Sequence, residues 1–517
     1  MANPAPNVSV NVTAVGPNPS TSASTGTWFV LGQAHGPSGV AVRVNSMTDF
    51  NTYFGQIVNG SLTGRYVTVN SGTTTDSSLL YDALDVYFRE GGQTALISRV
   101  VSSTATAAAT AASKFTVTAA GGGTWANSSS ASAVGLILTI SAVTGPVYTA
   151  VITLNGSTVA SSPALYSDLD VVNWINSLGA VGALCTAVYN SGGTTALPSV
   201  GSSAAIYLTG GTDGANVADT DTDPALAVFT DVFGPGQISY PGKTSAATYS
   251  KLSIHAKTFN RVAFLDAVDG AGSDNSSTLA TNVATLQSTS NVDPSYAGMF
   301  APWLVVPGIT SYNGTSSVFS RTVAPSALAA ALVASSDATN DCNVPAAGVG
   351  NGNSNYAINV TTNYSSASRA VLNNAGVNVV RFVPNANQIA LYGFRSCALD
   401  PNWNRLNNVR FRMQVVRDFD LIGEQFIFNE IDGKGQIFST FAGVLAAQCQ
   451  AYWLRKSIYG NRPSDSYQVN AGSGINTPNT IAAGQVNASV NLRMSPFGEF
   501  VTINVTKYAA NAVFPSY

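Results

Sequence analysis

Charge is scarce in this chain. Asp, Glu, Lys and Arg supply 9 % of its 517 residues, against about 25 % in ordinary soluble domains. Asn, Ser, Thr, Ala and Gly take their place. A free monomer usually stays soluble through net charge, so this scarcity suits a surface that becomes covered in an assembly. The net charge of −3 argues against a nucleic-acid partner, which needs a basic patch. Histidine is nearly absent: His35 and His255 stand alone, with no H-E-x-x-H and no second histidine at ligand spacing. A packed or surface side chain is the ordinary role for helical His255. The four cysteines, Cys185, Cys342, Cys397 and Cys449, form no C-x-x-C pair, which removes the usual zinc arrangement. Buried thiols are their ordinary reading. Cys342, in the polar stretch Asn340-Asp341-Cys342-Asn343, is the candidate for exposure and for a bridge between subunits. No apolar run reaches the roughly 18 residues of a membrane span, so direct membrane insertion is not expected. Met1-Ala2-Asn3-Pro4 has neither a basic start nor an apolar core, so no signal peptide and synthesis in the cytoplasm are expected.

Catalytic motifs are missing too. No serine has glycine at both −2 and +2, so there is no nucleophile elbow. Pro241-Gly242-Lys243-Thr244 echoes a phosphate-binding loop, but the required first glycine is Gln237. Asp219, Asp221 and Asp223 have calcium-loop spacing, yet Pro224 stands where the turn glycine belongs and Thr230 where the final Glu belongs. A turn with acids near a helix N-terminus explains them better. Asp266, Asp269 and Asp274 follow a strand end without a base, metal partner or nucleophile, and read as a loop. No catalysis, cofactor or metal is expected.

What is present is a succession of distinct regions. In the N-terminal arm, 1–25, Val8, Val10 and Val12 alternate with polar residues, the period of a half-buried strand. In the C-terminal arm, 486–517, Ala488, Val490, Leu492 and Met494 alternate, and after a turn Val501, Ile503 and Val505 do so again. Such arms either complete a sheet in a neighbouring copy by β-augmentation or pair within their own chain. Residues 26–102 read as a mixed α/β segment, with a strand at 28–32, a helix carrying Leu80, Leu84, Tyr87 and Phe88 on one face, and a strand at 95–101. Residues 103–214 hold short strands between Gly/Ser/Thr turns, with one helix near 167–178, the pattern of an inserted β-sandwich. From 215 to 375, helices at 225–233, 245–258, 278–288 and 325–336 alternate with strands at 261–266 and 299–306, which points to an α/β sheet. A C-terminal domain, 376–485, begins with strands at 377–383 and 389–394. It continues into two helices, the longer carrying Phe438, Phe441, Leu445, Cys449 and Tyr452 on one stripe. The expected class is α/β and β multidomain.

A collinear series of short motifs resembles the tail sheath proteins of contractile bacteriophages. It runs through Phe29-Val30-Leu31-Gly32, Tyr53-Phe54-Gly55 and Val86-Tyr87-Phe88-Arg89-Glu90-Gly91-Gly92. It continues with Leu208-Thr209-Gly210-Gly211-Thr212-Asp213-Gly214, Phe264-Leu265-Asp266, Ala301-Pro302-Trp303-Leu304 and Val323-Ala324-Pro325-Ser326. Gly376-Val377-Asn378-Val379-Val380-Arg381, Asp400-Pro401-Asn402-Trp403, Asn408-Val409-Arg410 and Ser495-Pro496-Phe497-Gly498-Glu499-Phe500 complete it. Ala324 departs from the family's paired prolines, and the 345–365 loop is unusually rich in Asn. The resemblance implies a subtilisin-like α/β core without catalysis, an α+β C-terminal domain and extended arms. Gly314-Thr315-Ser316-Ser317 faintly echoes a subtilase serine motif, but no Asp-Thr/Ser-Gly or His-Gly-Thr accompanies it. The resemblance further implies hexameric rings stacked around a tail tube, with baseplate and tail terminator proteins as further partners, in a virion assembled in the host cytoplasm. Val8, Val10, Val12, Val501, Ile503 and Val505 would make the intersubunit arm contacts. Arg405, Arg410, Arg412, Glu424 and Asp432 either line an ordinary solvated face or meet the tube and adjacent rings. A related contractile injection system would share the fold. A surface adhesin would explain the Ser/Thr/Asn richness, but a secretion signal should accompany it.

Overall fold

Trp28, Phe29, Val30 and Leu31 leave no polar position on either side of their strand, the signature of a strand buried on both faces. In the computed structural model, which describes residues 26–58, 61–65, 67–70, 73–76, 79–110, 113–179, 184–309 and 320–499, that strand lies inside a nine-stranded sheet. The arm residues Val8, Val10, Val12, Val501, Ile503 and Val505, and the stretch 314–317, lie outside the described residues.

From one edge the strand order is Asn353–Ser354, Gln388–Leu391, Val377–Val383, Ala297–Ala301, Val262–Asp266, Gln237–Ser239, Trp28–Gly32, Ala95–Arg99 and Val42–Val44. Pairings from Val377–Val383 through Ala95–Arg99 are parallel, and both flanks are antiparallel. Each face carries its own core. Trp28, Val30, Ile97 and Phe264 meet the helices Leu79–Arg89 and Pro325–Thr339 on one side. Phe29, Leu31, Leu265 and Met299 meet Ala246–Thr258 and Ser276–Ser288 on the other. The Pro325–Thr339 helix is apolar nearly all round and buried nearly all round, as such a pattern requires. Burying each large side chain here contributes about 1.5–3 kcal/mol.

The strand expected over 299–306 breaks at Pro302. Ala297–Ala301 stays in the large sheet, while Leu304–Pro307 joins Ser320–Val323 and Asn359–Val360 in a separate antiparallel sheet. Proline lacks the N–H that would continue a ladder. The helix expected over 225–233 is two pieces, Thr222–Ala227 and a 3-10 turn at Asp231–Phe233.

Between Ala95–Arg99 and Gln237–Ser239 lies a region with its own apolar core. It holds a four-stranded antiparallel sheet (Leu136–Thr144, Val147–Leu154, Ser157–Ser161, Ser203–Tyr207), a two-stranded ladder (Phe115–Ala119 with Cys185–Tyr189) and the helix Asp168–Ser177. Arg99 ties it to the main sheet, donating to the carbonyls of Gly36 at 2.8 Å and Gly122 at 2.7 Å and pairing with Asp213 at 3.4 Å.

The chain divides into two compact units between Gln425 and Phe426. This differs from a boundary at 375, because Val377–Val383 and Gln388–Leu391 are strands of the large sheet. The second unit contains the helix Gln436–Leu454 and the antiparallel ladder Tyr467–Asn470 with Ser489–Leu492. The first strand of the expected C-terminal arm therefore pairs inside its own chain.

Candidate assembly interface

The expected contact residues begin on the helix Leu406–Glu424, where Arg410, Arg412, Arg417, Asp418, Asp420 and Glu424 follow one another. The structure turns much of this charge inward. Arg410 is fully buried. Its Nη2 pairs with Asp337, and its Nη1 donates to the carbonyl of Cys342 at 3.2 Å. The Arg412 guanidinium lies between the rings of Tyr296 and Trp403, 4.2 and 4.3 Å from their centroids. Cation–π contacts of this kind are worth about 0.5–2 kcal/mol each. Arg405 is half-buried beside Arg395, while Glu424 is exposed. Arg410 and Arg412 thus fasten the first unit internally, and Arg410 is covered within its own chain. A guanidinium placed among packed helices must be paired or stacked, which is why its partners are built around it.

Cys342 also departs from expectation. It is buried, and its Sγ donates to Oε1 of Gln414 at 2.7 Å. The polar residues around it form a turn, with the carboxylate of Asp341 accepting from the Cys342 amide at 2.9 Å and Asn343 itself buried. Their polarity is spent on that turn, so it does not signal a solvent-facing thiol. All four cysteines are buried, and none is bridged to another. Burial pushes the thiols of Cys185, Cys397 and Cys449 up to about 12.

The second unit presents the opposite arrangement. Asp432 accepts from the backbone amides of Lys434, Gln436 and Ile437 at 2.7, 3.1 and 3.0 Å. It caps the start of the Gln436–Leu454 helix, and those donors hold its carboxyl below the usual range. Asp432 is therefore a helix cap. The helix it starts has no charged residue. Ile437, Leu445, Cys449 and Tyr452 are buried, and Phe441 packs on Phe426 with centroids 4.8 Å apart. Thr440, Gly443, Ala447, Gln450 and Leu454 are exposed, at the three-and-four spacing of one helix face. Leu454 keeps 66 % of its surface and Tyr459 61 %. In the ladder, Tyr467 and Val469 stand opposite Leu492 and Val490 on a half-buried face, while Gln468, Asn470, Ser489 and Asn491 are exposed. Among the described residues it is two-stranded, so each strand keeps an outer edge of backbone groups available for pairing.

The whole architecture has counterparts among solved structures. The anti-feeding prophage helical sheath in its contracted state aligns over 98 % of this chain and 99 % of its own, with a TM-score of 0.54 and 14 % identity. The chain has the fold of contractile-sheath proteins. The contracted PVC sheath complex of an extracellular contractile injection system aligns over 98 % of each chain, with a TM-score of 0.51 and 14 % identity. A sheath tail protein from Listeria innocua aligns over 87 % of this chain and 90 % of its own, with a TM-score of 0.52 and 15 % identity. Neither a family model nor a curated protein matches the sequence.

Within this sheath fold, the residues with enzyme-like chemistry are absorbed by structure. Asp266 is fully buried and accepts from Ser326 N at 2.7 Å, Ser326 Oγ at 2.8 Å and Gly242 N at 3.0 Å. Burial raises its carboxyl to about 6 despite those donors. Gly242, in the near-miss phosphate loop, therefore spends its amide on a carboxylate. Asp269 accepts from Thr361 and Asp274 from Ser368. The Asp219–Asp223 acids surround a turn, with Asp221 accepting from Ala218 N and Ser103 N. His255 lies against Arg261, Nη1 to Nε2 at 2.8 Å, and burial followed by that charge lowers its pKa to about 3. Among the described residues no cluster of His, Cys, Asp and Glu could hold a metal ion, and no helix is long and apolar enough to cross a membrane.

Sequence reasoning marked the charged residues of this region and missed the uncharged ones. The absence of any charge across 436–454 was the legible signal for an uncovered face. Phe428, fully exposed with its backbone at φ +62°, left no periodic trace.

Proposed function

We propose that the chain is the structural, non-enzymatic subunit of a contractile sheath. It polymerises as stacked hexameric rings around a tail tube, and its contraction drives that tube through a host envelope. The observation that carries this reading is the near-full-length likeness to a sheath in its contracted state, including the second unit as well as the large sheet. The parallel sheet with its buried Pro325–Thr339 helix corresponds to a subtilisin-like core that serves as a rigid body. Energy is stored as the difference between two packings of the same subunits. Subunits whose contacts change must still stay linked. Strands from 7–15 and 500–506 of neighbouring copies would meet that need by extending the Tyr467–Asn470 and Ser489–Leu492 ladder through main-chain hydrogen bonds. The uncharged face of the Gln436–Leu454 helix supports the same reading, since such a face favours burial against another chain. Tube, baseplate and terminator proteins are the partners, and the assembled protein resides in the virion tail after assembly in the host cytoplasm. The sheath of a related injection system is the second reading, favoured by the contracted injection-system sheath among the structural matches. Neighbouring genes distinguish the two.

The test is electron microscopy of the concentrated chain, alone and with its cognate tube protein. Hollow, cross-striated tubes are expected. A chain that stays monomeric under both conditions overturns the reading. Removal of residues 1–16 should leave a folded chain that forms no tubes, and normal tubes from that truncation would refute arm exchange.

A further inference from the structure

The inserted region has an apolar core of its own. Among the described residues, Tyr53 is the side chain that packs against both that core and a core of the large sheet. No strand or helix of the inserted region lies along a strand of the large sheet or one of its helices, among the described residues. The chain enters and leaves through a neck, where Thr106 bridges Thr212 and Ala109 bridges Thr209. Loops and hydrogen bonds make the rest of the docking.

Arg99 stands at the centre of that docking. It ends the strand Ala95–Arg99, and its side chain is only 3 % exposed. One guanidinium spans the loop at Gly36, the inserted loop at Gly122 and the returning chain at Asp213. Asp213 in turn accepts from Thr124 N at 3.2 Å and Thr124 Oγ1 at 2.7 Å. Beside it, Ser38 N donates to the carbonyl of Ala120 at 2.9 Å. The run Gly121-Gly122-Gly123 fits around these groups. A Cβ on Gly121 would overlap Ser38 Oγ, and one on Gly123 would lie 2.8 and 2.9 Å from the two Nη atoms of Arg99. A separate tie runs from Asn155 Nδ2 to the carbonyl of Gly55 at 2.9 Å. Hydrogen bonds exchange for water at a small net cost, whereas buried apolar area does not. Regions joined mainly by such bonds are free to move once the bonds open.

We propose that the inserted region is a hinged module. It turns about the neck at 106–109 and 209–212, and Arg99 with the Gly121–Gly123 loop is the latch that holds it against the large sheet. Opening the latch breaks neither apolar core. This device goes beyond the sheath reading and stands without it.

Pulsed electron resonance on the full chain tests it. Spin labels on Ser157→Cys and Thr278→Cys sit at exposed positions of the inserted region and of the Ser276–Ser288 helix. The native thiols are buried, so the labels go to the introduced ones. The otherwise unchanged chain should give one narrow distance. Arg99→Met should add a second, displaced population, and leaves the partly exposed Asp213 to water. Amide exchange over 120–124 should rise roughly tenfold or more, as the loss of a charged hydrogen bond predicts. Leu136–Thr144, Val147–Leu154 and Val262–Asp266 should keep their protection. Gly123→Ala retains the Arg99 charge but displaces its guanidinium, and should reproduce the second population. Asn155→Gly keeps the turn, removes the separate tie and should broaden the distance less. If Arg99→Met does not fold, Gly123→Ala and Asp213→Asn decide the matter. An unchanged distance distribution in the latch variants overturns the proposal, as does a broad distribution before any latch residue is changed. Loss of protection in Leu136–Thr144 and Val147–Leu154 in step with 120–124 overturns the hinge, because the inserted region would then need the large sheet to stay folded.

Discussion

Two helices of 19 residues each, Leu406–Glu424 and Gln436–Leu454, reverse the usual relation between charge and exposure. The first carries Arg410, Arg412, Arg417, Asp418, Asp420 and Glu424, and buries Arg410 and Asp418 along with its apolar residues. The second carries no charge and buries only Ile437, Leu445, Cys449 and Tyr452. Inside the first unit, charge acts as a fastener. Arg410 joins its helix to Asp337 and to the carbonyl of Cys342, and Arg412 stacks between two rings. On the second helix the lack of charge would keep the desolvation cost of its outer face low if another chain covered it. In the proposed assembly, the neutral face of the second helix is therefore the better candidate for a covered surface than the charged residues of the first.

The contrast can be broken most strongly at Arg410. Arg410→Leu leaves Asp337 facing a buried gap and should cost the first unit about 3–5 kcal/mol, read by urea unfolding. The double variant with Asp337→Asn should recover much of the loss. On the second helix, Leu445→Ala should cost about 2–4 kcal/mol by opening a cavity, read as faster hydrogen exchange confined to 436–494. If the two variants destabilise both units equally, the division at Gln425 is wrong.

Acidity sharpens the contrast, because the two units respond with opposite sign. Asp266 in the first unit has its carboxyl raised from 3.8 to about 6. The folded state then holds this proton more tightly than the unfolded state, so its contribution is fully present below about 4 and is lost as pH rises through 6. That slope should amount to about 2–3 kcal/mol in urea titrations and be missing from Asp266→Asn. Asp432 in the second unit has its carboxyl lowered by backbone donors. Its contribution is present above the ordinary carboxylate range and is lost as pH falls, and Asp432→Asn should remove that acid sensitivity.

Smaller effects test the surfaces. Cys342→Ser should cost about 1 kcal/mol, as one altered hydrogen bond does, and reductant should leave the oligomer distribution unchanged because the native thiol is covered. Non-reducing gels with a Cys342-dependent dimer would contradict the buried position. Ala447→Lys on the outer stripe should change stability by no more than about 0.5 kcal/mol and yet prevent tubes from forming. Tubes of normal length would show that this face stays open in the assembly.

Much of the fold was legible because periodicity is a local property. The strand at Trp28–Gly32, the helix at Leu79–Arg89 and the strand at Val377–Val383 stand close to where apolar spacing places them. The strands of the inserted region also follow their alternation, as at Leu136–Thr144 and Val147–Leu154. The candidate site was less legible. The charges expected to meet neighbours included Arg410, whose partner Asp337 lies 73 residues away, and Cys342, whose partner Gln414 lies 72 residues away. No window of local sequence contains such pairs.

By itself, then, the sequence determined the order and type of the main elements and the absence of catalytic motifs. Each of these depends on residue types and on spacings within a few turns or strand repeats. Only the tertiary structure decided that Val377–Val383 completes the large sheet, that Arg410 and Cys342 are covered, and that Phe428 and the outer face of Gln436–Leu454 are not. Burial and pairing are set by which distant segments meet, and that meeting is a property of the packed chain.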